Sequence, residues 1–209
     1  MTSATPPAEI AIDAELVAGL LRDQHPDLAA LALRVFARGW DKVIYRLGDT
    51  LVVRLPRRAV AAALVEGEQR WLPELARRLP LPIPAPTHVG RPGRGYPWRW
   101  SVCDWIEGDT AADAPCDRAR AARDLAAFLA ALHVPAPADA PRNEVRGGDL
   151  SSRHDAFGER VEALASRVDA PALRRIWEEA VRMPRDRARR EWIHGDLHPA
   201  NLVVRERRL

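Results

Sequence analysis

The stretch EWIHGDLHPANLVVRERRL, residues 191–209, packs His194, Asp196, His198 and Asn201 into eight positions between short apolar runs at 192–193 and 202–204. Imidazole, carboxylate and carboxamide are side chains that move protons and hold metal ions. The stretch reads as strand–loop–strand, with the apolar runs holding the loop on rigid β-structure.

Two chemistries compete for this loop. On an extended strand His194, Asp196 and His198 alternate and point the same way, which suits a metal. No further ligand cluster in the chain completes such a site. The other reading starts from Asp196 and Asn201, five positions apart. That is the spacing of a kinase catalytic loop, where the carboxylate meets the hydroxyl proton and the amide holds a metal. Phosphoryl transfer asks mostly for such positioning and for charge neutralisation.

The rest of the chain sets the frame. Its 209 residues suit one large domain or two lobes, and a composition 47% hydrophobic and 29% charged is that of a globular protein. The net charge is only +3, with basic residues spread along the chain, so no nucleic-acid footprint is expected. Of the 32 lysines and arginines only Lys42 is a lysine. Any role that elsewhere falls to lysine must fall to Lys42 or to an arginine. Cys103 and Cys116 have no metal or redox spacing, the start is not of the secretory type, and no run suits a membrane span. A cytoplasmic protein with no membrane partner is the expectation.

Apolar clusters at 31–37, 42–47 and 50–55 predict an antiparallel meander, with Gly39 in its first turn. A helical period runs from 57 to 79, with Ala61, Leu64, Val65, Glu68, Leu72 and Leu75 largely on one side. A proline-rich connection and a hairpin follow, the second strand spanning 98–105. Trp98, Trp100 and Trp105 are expected to pack rather than stack on a ligand. Beyond Gly108 the pattern is helical, over 116–134, 153–166 and 170–183. Strands followed by helices argue α+β with two lobes: 1–103, a hinge at 104–110, and 111–209.

On these residues the chain resembles the aminoglycoside phosphotransferase family, whose members have the protein-kinase fold and typically carry His-Gly-Asp-x-x-x-x-Asn. The resemblance implies a two-lobed protein-kinase-like α+β fold and transfer of a phosphoryl group from ATP or GTP, with Mg2+, to a hydroxyl of a small molecule. It implies Asp196 as base or orienting group, with His194 beside it, and Asn201 as a magnesium ligand. Gly39 falls in the turn over the phosphates, and Arg54 falls where kinases carry the third-strand lysine that pairs with a helix glutamate. That partner is Glu68, with Glu66 as competitor. Main chain near Asp104 and Ile106 would read the base.

The family continues beyond the Asn201 strand with an Asp-x-Gly whose aspartate is the main magnesium ligand, and these 209 residues contain none there. The expectation is an incomplete helical lobe, weak or absent turnover, and self-association through an exposed strand edge. A non-catalytic nucleotide-binding or interaction module is the alternative.

Overall fold

The computed structural model describes residues 6–142, 147–183 and 190–209. The three predicted strands form within a residue or two of their expected limits: β1 (Leu33–Arg38), β2 (Lys42–Leu47) and β3 (Leu51–Pro56). Gly48 closes the second turn at φ +57°, a conformation that favours glycine. With β4 (Pro86–Gly90) and β5 (Trp100–Asp104) they make a five-stranded antiparallel sheet in the order β1-β2-β3-β5-β4.

The period-two alternation of the strands sorts their side chains onto two faces. Val43, Tyr45, Leu47, Val53, Leu55, Trp100 and Val102 meet Val17, Leu20 and Leu21 of α1 (Ala14–Gln24) in one buried cluster. Each large apolar side chain buried there contributes on the order of 1.5–3 kcal/mol. Asp13 caps α1, its carboxylate accepting the Leu16 N–H at 2.8 Å.

The polar ends of the two tyrosines are satisfied inside this core. The hydroxyl of Tyr45 donates to the Ile12 carbonyl at 3.2 Å and that of Tyr96 to the Pro56 carbonyl at 2.8 Å. Burial raises both phenols above their ordinary value. A folded value above the unfolded one stabilises fully below about pH 10 and is lost as pH climbs through the folded value. These are the only two tyrosines in the sequence. Phenolate absorbance is therefore expected to stay flat past about pH 10 and to rise together with the loss of circular dichroism. A smooth rise near that pH in still-folded protein would contradict the burial.

The opposite face of the sheet presents Lys42, Ile44 and Arg46 of β2, Val52 and Arg54 of β3, and Ser101 and Cys103 of β5. It packs on α2 (Ala59–Ala76), which continues through Pro73. Ala61, Val65, Trp71 and Leu75 are its buried side chains, whereas Leu64, expected on that stripe, is 53% exposed. Gln69 ties α2 to β5 by donating to the Trp100 carbonyl at 2.8 Å and to Ser101 Oγ at 3.2 Å.

After β5 the chain passes Gly108 into β6 (Asp109–Thr110), which pairs antiparallel with β7 (Val203–Val204). Gly108 has φ +136°, and a Cβ there would lie 2.5 Å from the Val204 carbonyl oxygen, so this position admits only glycine without a shift of the backbone. Asp117 caps α3 (Arg118–Leu132) and donates its own N–H to the Arg207 carbonyl at 3.0 Å.

The described residues divide into two compact units. One holds the described part of Met1–Leu132 with His198–Leu209, the other His133–Leu197. The first unit thus holds α3 and β7 together with the sheet. In the second unit, α4 (His154–Ala163) and α5 (Ala170–Arg182) are joined by Phe157 stacked on Trp177, with ring centroids 4.1 Å apart, and by an Arg174–Glu162 ion pair at 2.8 Å. No helix among the described residues is long and apolar enough to cross a membrane.

Candidate functional site

Lys42, Arg54 and Glu68 come together on the α2-facing side of the sheet. Lys42 Nζ donates to both carboxylate oxygens of Glu68, at 2.6 and 2.7 Å. Arg54 stands 4.0 Å from the same carboxylate and donates instead to the Pro84 carbonyl at 3.3 Å. The expected Arg54–Glu68 pair is thus the looser of two contacts, and the tight one belongs to Lys42. Glu66, the competitor, projects elsewhere on α2, its carboxylate 3.8 Å from Arg99.

Burial lowers the Lys42 amine below its ordinary value, the neighbouring Arg54 charge lowers it further, and Glu68 pulls it back up. Cys103 lies on this face as a buried free thiol, donating to the Pro84 carbonyl at 3.4 Å. Burial raises it, against the opposing pull of Arg54, so it is a poor nucleophile.

Gly39 sits in the β1–β2 turn as expected, but its own N–H is spent on the Lys42 carbonyl at 2.9 Å. Its carbonyl accepts from Arg57 at 3.0 Å. Its φ is not left-handed, and a Cβ there would meet the Lys42 carbonyl oxygen at 3.4 Å. An anion approaching this turn therefore has to use neighbouring amides.

The hinge residues are placed by strand register. Trp105 donates its N–H to the Thr50 carbonyl at 2.8 Å, so at Asp104, paired with Leu51, the main-chain N–H and C=O point away from β3. On that side β4 begins only at Pro86, opposite Cys103. The Asp104 main chain therefore lies past the end of β4 on that side, and Ile106 follows two residues beyond β5. Trp105 is clasped by Arg46, whose guanidinium carbon lies 4.0 Å from the ring centroid, and by Phe36, in an edge contact at 4.8 Å. Phe36 occupies the irregularity in the β1–β2 register. Nothing in the sequence marked Lys42, Phe36 or Arg46 as neighbours of these positions except that Lys42 is the single lysine.

The loop 194–201 spans both units: His194, Gly195 and Asp196 lie in the second, His198 and Asn201 in the first. Gly195 takes φ +77°, which turns the chain between His194 and Asp196. His194 Nδ1 accepts the Asp196 N–H at 3.2 Å, which puts any ring proton on Nε2. Asp196 is half-buried and His194 exposed. Upstream, the expected strand at 192–193 is reduced to a short pairing. Glu191 stands opposite Pro135, Trp192 donates to the Val134 carbonyl at 3.1 Å, and Ile193 is exposed. In the first unit, His198 caps a turn of 3-10 helix, Pro199–Asn201, that leads into β7, with its Nδ1 accepting from Ala200 at 3.3 Å.

Among the described residues no group of three histidine, cysteine, aspartate or glutamate side chains could hold a metal, so the His194–Asp196–His198 metal reading has no support. Asn201 is exposed and carries an amide oxygen, a ligand type that would suit a hard divalent cation. Two cations flanking one carboxylate suit the phosphates themselves.

The chain is similar in fold to several solved phosphotransferases. One is the GDP and kanamycin complex of APH(2")-IIia, with TM-score 0.63, 20% identity, and coverage of 91% of this chain and 67% of that one. Another is a GDP complex of a point mutant of aminoglycoside 2'-phosphotransferase-IIIa, with TM-score 0.65, 20% identity, and coverage of 92% and 67%. A third is macrolide 2'-phosphotransferase MphH from Brachybacterium faecium as the apoenzyme, with TM-score 0.56, 22% identity, and coverage of 93% and 69%. The chain thus spans about two thirds of their length, and at these identities the likeness shows the kinase-like α+β fold. No curated protein sequence matches at a significant level. The model of the phosphotransferase enzyme family, however, matches residues 32–209, from the first strand through the His194–Asn201 loop, and the chain belongs to that family.

Proposed function

We propose that this chain carries the nucleotide-binding part and the catalytic loop of a phosphotransferase that moves the terminal phosphoryl group of ATP or GTP to a hydroxyl of an aminoglycoside- or macrolide-like small molecule. The reading assigns 1–103 to nucleotide binding, 104–110 to the hinge and 111–209 to a partial helical lobe, in a cytoplasmic protein. What carries it is the loop His-Gly-Asp-x-x-x-x-Asn at 194–201 within the matched family region.

Each residue has a task. Main chain at Asp104 and Ile106 takes the base. The cations at the α2–sheet contact meet the phosphates, and the turn at Gly39 covers them. Asp196 orients the acceptor hydroxyl and takes its proton, with His194 bracing the Asp196 backbone. Asn201 would hold Mg2+, whose chemistry is neutralisation of phosphate charge.

Mg·ATP or Mg·GTP is expected to raise the melting temperature of the 209-residue chain. A chain indifferent to both nucleotides overturns the reading. Where transfer to an aminoglycoside or macrolide hydroxyl is measurable, Asp196→Asn is expected to lower it by about 10²–10⁴-fold while leaving nucleotide binding nearly unchanged. An unaltered rate would remove Asp196 from its role.

The alternative is a non-catalytic nucleotide-binding or interaction module. Nucleotide binding with little or no turnover is its signature. Self-association through the exposed β-edge would appear as a concentration-dependent mass in sedimentation.

A further inference from the structure

Lys42 and Arg54 reach one carboxylate from adjacent strands. Lys42 opens β2 opposite Pro56, and Arg54 lies opposite Ile44, so the two stand diagonally on the same face of the sheet. Glu68 comes down from α2 and makes its choice by distance: 2.6 and 2.7 Å to Lys42, 4.0 Å to Arg54. Arg54 is turned aside to the Pro84 carbonyl.

We propose that Lys42, on the second strand, is the cation that Glu68 positions toward the nucleotide phosphates, and that Arg54 is a flanking charge and not the principal grip. This rests on the nucleotide reading above and deepens it.

Three observations support the assignment. The first is charge. Two cations against one carboxylate leave a positive charge at a contact where the side chains of Lys42, Arg54 and Glu68 are only 16%, 19% and 26% exposed. Like charges held together out of water are costly until an anion enters. The burial and the Arg54 charge that depress the Lys42 amine record that cost. The second is valence. Lys42 has three N–H donors and spends two on Glu68, which leaves one for a phosphate oxygen. The third is position. The Gly39 N–H donates to the Lys42 carbonyl, so the lysine is anchored to the turn proposed to cover the phosphates.

Lys42 is the single lysine in the sequence, which makes a chemical test clean. The unmutated chain is treated with 5'-fluorosulfonylbenzoyl adenosine, an amine-directed nucleoside, with and without Mg·ATP, and adducts are mapped by mass spectrometry. The expected result is one side-chain lysine adduct, at Lys42, suppressed by Mg·ATP. In parallel, Mg·ATP affinity is titrated calorimetrically for the unmutated chain, Lys42→Met and Arg54→Met, each shown to be folded by circular dichroism. Lys42→Met is expected to weaken binding by about ten- to a hundredfold and Arg54→Met by less than about threefold. Unmutated chain that binds but keeps its affinity in Lys42→Met, or an adduct indifferent to Mg·ATP, overturns this inference and leaves the functional reading standing. Absence of any nucleotide binding by the unmutated chain overturns both. Should Lys42→Met not fold, Lys42→Gln and the labelling of the unmutated chain decide the matter.

Discussion

Trp100→Ala is expected to destabilise the protein by about 3–5 kcal/mol, the range for removing a large buried aromatic side chain. Trp100 is fully buried at the centre of the α1-facing core, and its indole N–H donates to the Arg91 carbonyl at 3.0 Å. The ring lies directly over Gly90 on the neighbouring strand, where a Cβ would come within 2.0 Å of it. The pocket that holds the indole is therefore built from the absence of a side chain at 90, and the alanine variant leaves a cavity that the backbone of β4 cannot fill. Against a total stability of about 5–15 kcal/mol, most of the cooperative fold is at stake. Chemical denaturation followed by circular dichroism checks it. A midpoint within about 1 kcal/mol of the unmutated protein would mean that Trp100 is not a core residue. Gly90→Ala is expected to fall in the same direction through the clash instead of the cavity.

Glu68→Ala is expected to cost about 1–3 kcal/mol and, on the functional reading, to weaken nucleotide binding by no more than the roughly ten- to hundredfold expected of Lys42→Met. The carboxylate sits between two cations, so its removal does more than delete two hydrogen bonds. It leaves Lys42 and Arg54 facing one another, partly buried, with nothing between them. The figure lies below the cost of breaking a fully buried pair because water reaches a quarter of the Glu68 side chain. A double-mutant cycle separates the partners. The coupling energy of Glu68 with Lys42 is expected to exceed that with Arg54, following the distances of 2.6 and 4.0 Å. Equal couplings, or a larger one with Arg54, would show that the solution pairing is not the one described.

The sequence alone placed most of the elements and suggested a chemistry for the loop. Alternation of apolar residues placed β1, β2 and β3, because a strand with one face in a core must repeat every two residues. The helical period placed α2 and α3, and the Asp196–Asn201 spacing pointed to phosphoryl transfer because local chain geometry sets how far apart a carboxylate and an amide stand on one loop. The sequence also contained, without displaying its meaning, the fact that Lys42 has no other lysine to share its work.

Only the tertiary structure decided which groups meet. Lys42 and Glu68 are 26 residues apart in the chain, and their pairing depends on the register of β2 against β3 and on the angle at which α2 crosses both. No local pattern encodes that register beyond its parity, so sequence reasoning reached the familiar third-strand residue, Arg54. Parity alone could not say which of two cations on one face the glutamate would reach. The same holds for Gly108, whose need for glycine comes from β7, a strand that arrives some 95 residues later and brings its carbonyl within 2.5 Å of where a Cβ would stand.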